Sequence, residues 1–277
     1  MSAISTDLIK ALRQQTGVGL TKCKEALEVS KGNLEDALTY LRKKGLASAA
    51  KKEGRETKEG VIKVSASSSG LSLVEVDVET DFVAANDRFQ SFAADLADDF
   101  LSQGAQTDLN QFLQKPFSKD LSLTIDEHKS VMMQTLGENV VIKRVLFIPK
   151  KPGHSLGFYS HSGGKVVAVV ELAGSGNFED LAKEVALHVA AASPLYLSPE
   201  SVPAEVLARE KDIAADQVKN KPDHVVQKII DGKLAAFFEE MCLLNQSFVK
   251  DSSKTIASLI AESGASLISF VRWKVGE

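Results

Sequence analysis

The sequence predicts an α+β protein: a small N-terminal module of three helices, then a core of two related subdomains, each an antiparallel sheet covered by helices, with a helical hairpin inserted in the second. Three observations carry this reading. Three short helical signals follow one another from residue 5 to 44, a strand, hairpin and helix pattern occurs twice, and two long helical patterns stand back to back at about 203–241. The boundaries read as 1–55 for the helical module and linker, 56–150 for the first core subdomain and 151–277 for the second.

In the module, Gly17-Val18-Gly19 and Lys31-Gly32 separate the helices. The third helix is the clearest, since Asn33 can cap it and Leu34, Ala37, Leu38 and Leu41 recur at helical spacing. From Arg42 to Glu59 the chain turns Ala, Gly and charge rich, with seven basic against three acidic side chains. That balance marks a solvated linker helix rather than an arm for nucleic acid.

Gly60 to Val83 reads as two strands joined by Ser67-Ser68-Ser69-Gly70, followed by a helix from Asn86 with Phe89, Phe92, Ala93, Leu96 and Phe100 on one stripe. The second copy starts at Leu156. Its strands meet at His161-Ser162-Gly163-Gly164, continue as Lys165 to Leu172, and lead to a helix from about Phe178 bearing Leu181, Ala182, Val185 and Val189. Further strands are predicted for Val140 to Ile148, with Val141, Val145 and Phe147 on one side, and for Leu267 to Val275. The back-to-back helices, Pro203 to Val218 and Asp223 to Met241, are separated by Lys219-Asn220-Lys221-Pro222 and should fold back on one another. Their seam would use Val206, Leu207, Ile213, Val218, Val226, Ile230, Phe237 and Met241. Such an arm either meets a partner or packs on its own.

Composition removes several classes of function. A net charge of −4 in 277 residues does not supply the concentrated basic field that a phosphate backbone requires, so direct nucleic-acid binding is not expected. Cys23 and Cys242 are the whole thiol complement, which excludes a disulfide framework and a thiolate cluster and suits a reducing cytosol. No apolar run reaches membrane-spanning length, and the chain reads as untargeted and cytoplasmic.

Catalytic and cofactor motifs fail on inspection. Gly157 to Lys165 resembles a phosphate loop only faintly: Tyr159 stands where that spacing needs glycine, Val166 replaces Ser or Thr, and a strand follows where a helix is needed. Gly17-Val18-Gly19 lacks both a preceding strand and a third glycine. The five histidines have no neighbouring cysteine and no metal-binding spacing, so no metal, cofactor or stable small-molecule ligand is expected. His188, on its apolar stripe, reads as a hydrogen-bonded core histidine, and His161 as an exposed hairpin-tip residue.

The segment richest in meaning is Val74 to Val83, where an alternating strand pattern runs into Thr80-Asp81-Phe82-Val83 and a polar helix start at Asn86. A large apolar ring beside a carboxylate at a strand exit suits a probe for another protein. A ring turned into the core fits the same residues.

Several segments together resemble the elongation factor Ts family. They are Thr16-Gly17-Val18-Gly19 with Cys23-Lys24-Glu25-Ala26-Leu27, Val78-Glu79-Thr80-Asp81-Phe82-Val83, Gly137-Glu138-Asn139, His188-Val189-Ala190-Ala191, and the ending Phe270-Val271-Arg272-Trp273-Lys274-Val275-Gly276-Glu277. They run in family order along nearly the whole chain. The resemblance implies a ubiquitin-associated-like N-terminal domain, a two-subdomain core and a coiled-coil hairpin. Some members continue beyond the Val-Gly-Glu ending, and contacts of that extension are not expected here.

What the resemblance implies for function is guanine nucleotide exchange on elongation factor Tu by protein binding, with no bond made or broken. Asp81 and Phe82 would intrude near the partner's Mg²⁺ site and displace its ligands, framed by Thr80 and Val83. Gly19, Leu20 and Thr21 are implied to touch the partner's nucleotide-binding domain, and His161 another of its faces. With the resemblance, Phe82 is expected outside the core. Whether the hairpin pairs with a second copy, as a homodimer within a two-plus-two complex, is left open. The competing class is an RNA- or ribosome-associated module using the basic linker and the hairpin arm.

Overall fold

The computed structural model describes residues 4–16, 18–50, 52–104, 107–216 and 223–277. The fold is α+β, and the chain divides into two compact units, residues 1–149 with 274–277 and residues 150–273.

The first unit opens with α1 (Thr6–Thr16), α2 (Leu20–Val29) and α3 (Leu34–Ala50). Asn33 caps α3 by accepting from the Glu35 and Asp36 amides. Leu12, Val18, Cys23, Ala26, Leu27, Ala37 and Leu41 close a small core between the three helices. Next come β1 (Glu59–Ser67), β2 (Gly70–Val78), α4 (Asp81–Ala84), α5 (Asp87–Gln103), α6 (Leu109–Leu113), β3 (Pro116–Phe117), β4 (Asp120–Thr124), α7 (Ile125–Leu136) and β5 (Val140–Pro149). The sheet order is β1-β2-β5, with both pairs antiparallel. Its helical face buries Val74, Val76 and Val78 against Phe89, Phe92, Leu96 and Phe100 of α5 and Met133 of α7. Burial of these large apolar groups is what holds the layers together.

β2 is buried along its whole length. The alternation read from its sequence therefore separates two covered faces, the expected state of a central strand. On the face away from the helices lie Glu75 and Asp77. A bulge opposite Glu75/Val76 brings Lys143 and Arg144 together on that face. It also reverses the side-chain parity of β5. Val140 and Ile142 enter the core before the bulge and Val145 and Phe147 pack there after it, so Val141 does not share their face as the uninterrupted alternation predicts.

The second unit repeats the plan with β6 (His154–His161), β7 (Val166–Ala173), α8 (Glu179–Ala192), α9 (Ala204–Asp216), α10 (Asp223–Met241), β8 (Ser247–Phe248), β9 (Asp251–Thr255), α11 (Ile256–Ser263) and β10 (Ser266–Lys274). Its sheet order is β10-β7-β6. The repeat extends further than the strand pairs. Phe117, Lys119, Asp120, Ser122, Thr124 and Ile125 recur as Phe248, Lys250, Asp251, Ser253, Thr255 and Ile256. In both hairpins the residue after the cap donates back across the turn, Ile125 to the Lys115 carbonyl and Ile256 to that of Gln246. The Ser118 amide donates to Asp99 on α5, and the Val249 amide to His188 on α8.

Two departures distinguish the copies. In the second, α9 and α10 intervene between α8 and the small hairpin. The connection predicted at residues 219–222, and Val218 of the seam, lie outside the described residues. Ala214, 2% exposed, takes the buried position on α9, whereas Ile213 of the expected seam is 44% exposed. In the first copy the link from central strand to helix is longer, and it carries α4.

Candidate functional site: the turn at residues 79–86

The link between β2 and α5 is built as a short displayed helix. Thr80 leaves the strand in an extended conformation (φ −126°, ψ 155°) and caps α4, its hydroxyl accepting from the Val83 amide. The Ala84 amide closes the turn on the Thr80 carbonyl at 3.0 Å. Asn86 then caps α5 by accepting from the Arg88 amide, and the Gln90 side chain donates to the Ala84 carbonyl at 2.6 Å. Ala84 is buried and Val83 packs on the first unit's core.

These anchors leave the opposite side of α4 facing outward. Asp81 is exposed, and Phe82 is 85% exposed, more than any other large apolar side chain among the described residues. A phenyl ring so placed gains almost nothing from the fold of its own chain and leaves most of its apolar surface facing solvent.

The turn is fastened from below by residues that follow α7. Gly137 ends that helix in the left-handed conformation (φ 86°) and sends the chain into β5. Beyond it the Glu138 carboxylate accepts from both the amide and the hydroxyl of Thr80, at 3.0 and 2.6 Å. In the reverse sense, the Asn139 amide donates to Glu79 at 2.6 Å. The Asn139 side chain donates to the Arg55 carbonyl, and the Arg55 guanidinium lies 3.4 Å from Glu79. Lys52 donates to the Met133 carbonyl. Burial holds the Lys52 ammonium below the usual lysine range, helped by Lys22 and Arg55 and opposed by Glu79 and Glu138. The chain leaving the helical module is thus tied at the same knot as the 80–83 turn.

The other residues singled out by sequence fall in two further places. Gly19 is the N-cap of α2 and makes no side-chain cap; Leu20 is 47% exposed and Thr21 is exposed at the same helix start. Lys22, one residue on, contributes to the field at Lys52. His161 lies in the second unit at the β6–β7 hairpin tip, exposed, its Nδ1 3.4 Å from the Tyr159 hydroxyl oxygen. His188 is fully buried, with Nε2 2.9 Å from Gln246 Oε1 and Nδ1 accepting from the Val249 amide, a structural role.

No group of three or more His, Cys, Asp or Glu side chains suited to a metal occurs among the described residues, and no described helix is long and apolar enough to cross a membrane. The sequence reading missed Glu138 as the residue that holds Thr80. Its motif carried only a family likeness, although its chemistry, a carboxylate facing an exposed amide and hydroxyl, is physical.

A family profile described as Elongation factor TS matches residues 79–277. The protein named Elongation factor Ts of Protochlamydia amoebophila (strain UWE25) is 46% identical over 283 aligned residues, with all of both chains covered. Those of Chlamydia felis (strain Fe/C-56) and Chlamydia trachomatis serovar L2 (strain ATCC VR-902B / DSM 19102 / 434/Bu) are 49% and 51% identical over 282, again over the full length of each. On this full-length similarity the chain belongs to the elongation factor Ts family.

Proposed function

We propose that this protein binds elongation factor Tu carrying GDP in the cytoplasm, promotes release of GDP and Mg²⁺, and stabilises the nucleotide-free state so that GTP can bind. The observation that carries the reading is Phe82, held almost fully exposed on a turn whose backbone is fixed at both ends. An exchange factor must bind the nucleotide-poor state better than the nucleotide-bound one, because equal affinity for both shifts no equilibrium. Lowering nucleotide affinity about a thousandfold requires roughly 4 kcal/mol of coupling. Burying the Phe82 ring in a partner pocket supplies on the order of 1.5–3 kcal/mol of this. The remainder comes from the wider contact and from disturbed Mg²⁺ coordination next to Asp81.

In this reading Thr80 and Val83 frame the wedge, and Gly19, Leu20 and Thr21 at the start of α2 give a second contact within residues 1–55. His161, within residues 151–277, gives a third. The protein makes and breaks no covalent bond. The test is release of a fluorescent GDP from elongation factor Tu: Phe82→Ala should slow it strongly at saturating protein. An unchanged rate overturns the wedge.

A further inference from the structure

The knot beneath α4 has a feature that a merely structural strand end does not need. Thr80 is the hinge between a fully buried strand and a displayed helix, and both of its hydrogen-bond donors go to one carboxylate, that of Glu138. Because its hydroxyl proton is committed to Glu138, the hydroxyl oxygen is left as an acceptor aimed at the Val83 amide, which starts the turn carrying Phe82. Two bonds to an ionised acceptor are stronger than neutral ones, and they fix the direction in which the helix leaves the strand. Glu79 and the Asn139 amide make the reciprocal bond, so residues 79–80 and 138–139 hold each other through backbone as well as side chain.

An isolated helix of four residues does not persist in water on its own. Its core contacts, Ala84 and Val83, set its depth and leave the Phe82 side free. Resting on the exchange reading above, we propose that Glu138 is a positioning residue: its carboxylate sets the N-terminal turn of α4 and thereby the direction of Phe82, and touches neither partner nor nucleotide. Preorganisation of this kind raises the effect of a binding group by removing the cost of ordering it on contact.

The test uses the full chain with Glu138→Ala, Glu138→Gln, Thr80→Val and Phe82→Ala. Glu138→Ala should lower the maximal rate of GDP release roughly tenfold or more. Glu138→Gln, which keeps one acceptor oxygen, should fall between it and the parent. Thr80→Val removes the hydroxyl bond to Glu138 and the acceptor for the Val83 amide while keeping the Thr80 amide bond, so it should give a defect of the same kind without adding to that of Glu138→Ala. In a Phe82→Ala background, removal of Glu138 should cost nothing further. Amide hydrogen exchange of the protein alone should accelerate at Val83 and Ala84 in Glu138→Ala, while protection of the β2 amides is retained. A parent-like release rate in Glu138→Ala, additive losses with Phe82→Ala, or unaltered exchange at Val83 and Ala84 would each overturn the proposal. Should Phe82→Ala itself release GDP at the parent rate, the wedge reading falls and hydrogen exchange alone decides the role of Glu138.

Discussion

Gly157 of β6 and Lys183 of α8 are in backbone contact: a Cβ on Gly157 would stand 2.3 Å from the Lys183 nitrogen and 2.5 Å from the Ala182 carbonyl carbon. No side-chain adjustment relieves an overlap with main-chain atoms, so Gly157→Ala must push helix from strand. The expected cost is about 3 kcal/mol, at the upper end for overpacking a core. Urea unfolding with an unchanged slope would measure it, and a loss under about 0.5 kcal/mol would show that α8 can shift freely.

The bulge in β5 has an electrostatic consequence that can be read by titration. Glu75 accepts from Arg144 at 2.5 Å, while Lys143 lies 3.8 Å from Glu75 and 3.6 Å from Asp77. Oδ1 of Asp77 has no hydrogen-bond partner among the described residues. Burial first, then the neighbouring Glu75 charge, pushes the Asp77 carboxyl up to about 6 against the partial relief of Lys143. Unfolded, an aspartate titrates near 3.9, so between roughly pH 4 and 6 the folded state binds more protons and stability falls as pH rises. Asp77→Asn should therefore stabilise the protein by roughly 2 kcal/mol above pH 7, and the gain should vanish near pH 4. Parallel pH profiles for parent and variant would contradict this.

Much of the fold was legible because its signals are local. The stripe of α5, the Asn33 cap and the glycine-serine hairpin turns each act within a few residues, and each appears where the sequence places it. What escaped depends on distant partners. Uninterrupted alternation puts Val141 on the wrong face because a bulge is set by pairing with β2, which β5's own pattern does not reveal. Ile213 stands outside the buried seam, while the smaller Ala214 takes its place. Phe82 is open to two placements on its residues alone, and the turn that displays it is bonded at Thr80 to Glu138, which lies 58 residues beyond Thr80 in the chain. The repeat of the small hairpin could have been found by aligning Phe117 to Ile125 with Phe248 to Ile256.

His188 offers a second titration of opposite sign. Burial lowers its imidazole below the usual range, partly offset by Gln246, and the Val249 amide donating to Nδ1 requires the neutral Nε2–H form. The unfolded chain then binds the extra proton first, so this group's contribution is full well above the ordinary histidine value of about 6.5 and is lost on acidification. His188→Gln should cost about 1–3 kcal/mol at pH 7.5, through imperfect replacement of two buried hydrogen bonds. The deficit should shrink toward pH 5, because only the parent must protonate there. His128, also lowered by burial, is present in both proteins and drops out of the difference. A deficit that grows with acid would contradict the assignment.

Phe82 and Val83 are adjacent on α4 and face opposite environments, so under the proposed exchange role their substitution should separate stability from exchange. Phe82 is 85% exposed, so Phe82→Ala forfeits almost no burial and should leave unfolding free energy within about 0.5 kcal/mol of the parent. Val83 packs on the first unit's core, and Val83→Ala should cost about 1–2 kcal/mol through the methyl groups removed. In GDP release from elongation factor Tu the order should invert, with Phe82→Ala losing far more of the rate than Val83→Ala at matched folded concentration. A ring whose loss destabilises the isolated protein would be serving its own core, and a wedge that serves both ends could not be free to leave for a partner. Chemical denaturation and nucleotide release measured on the same two variants therefore decide the matter jointly: the expected result is a crossing of the two orders, and agreement between them would remove Phe82 from the exchange surface.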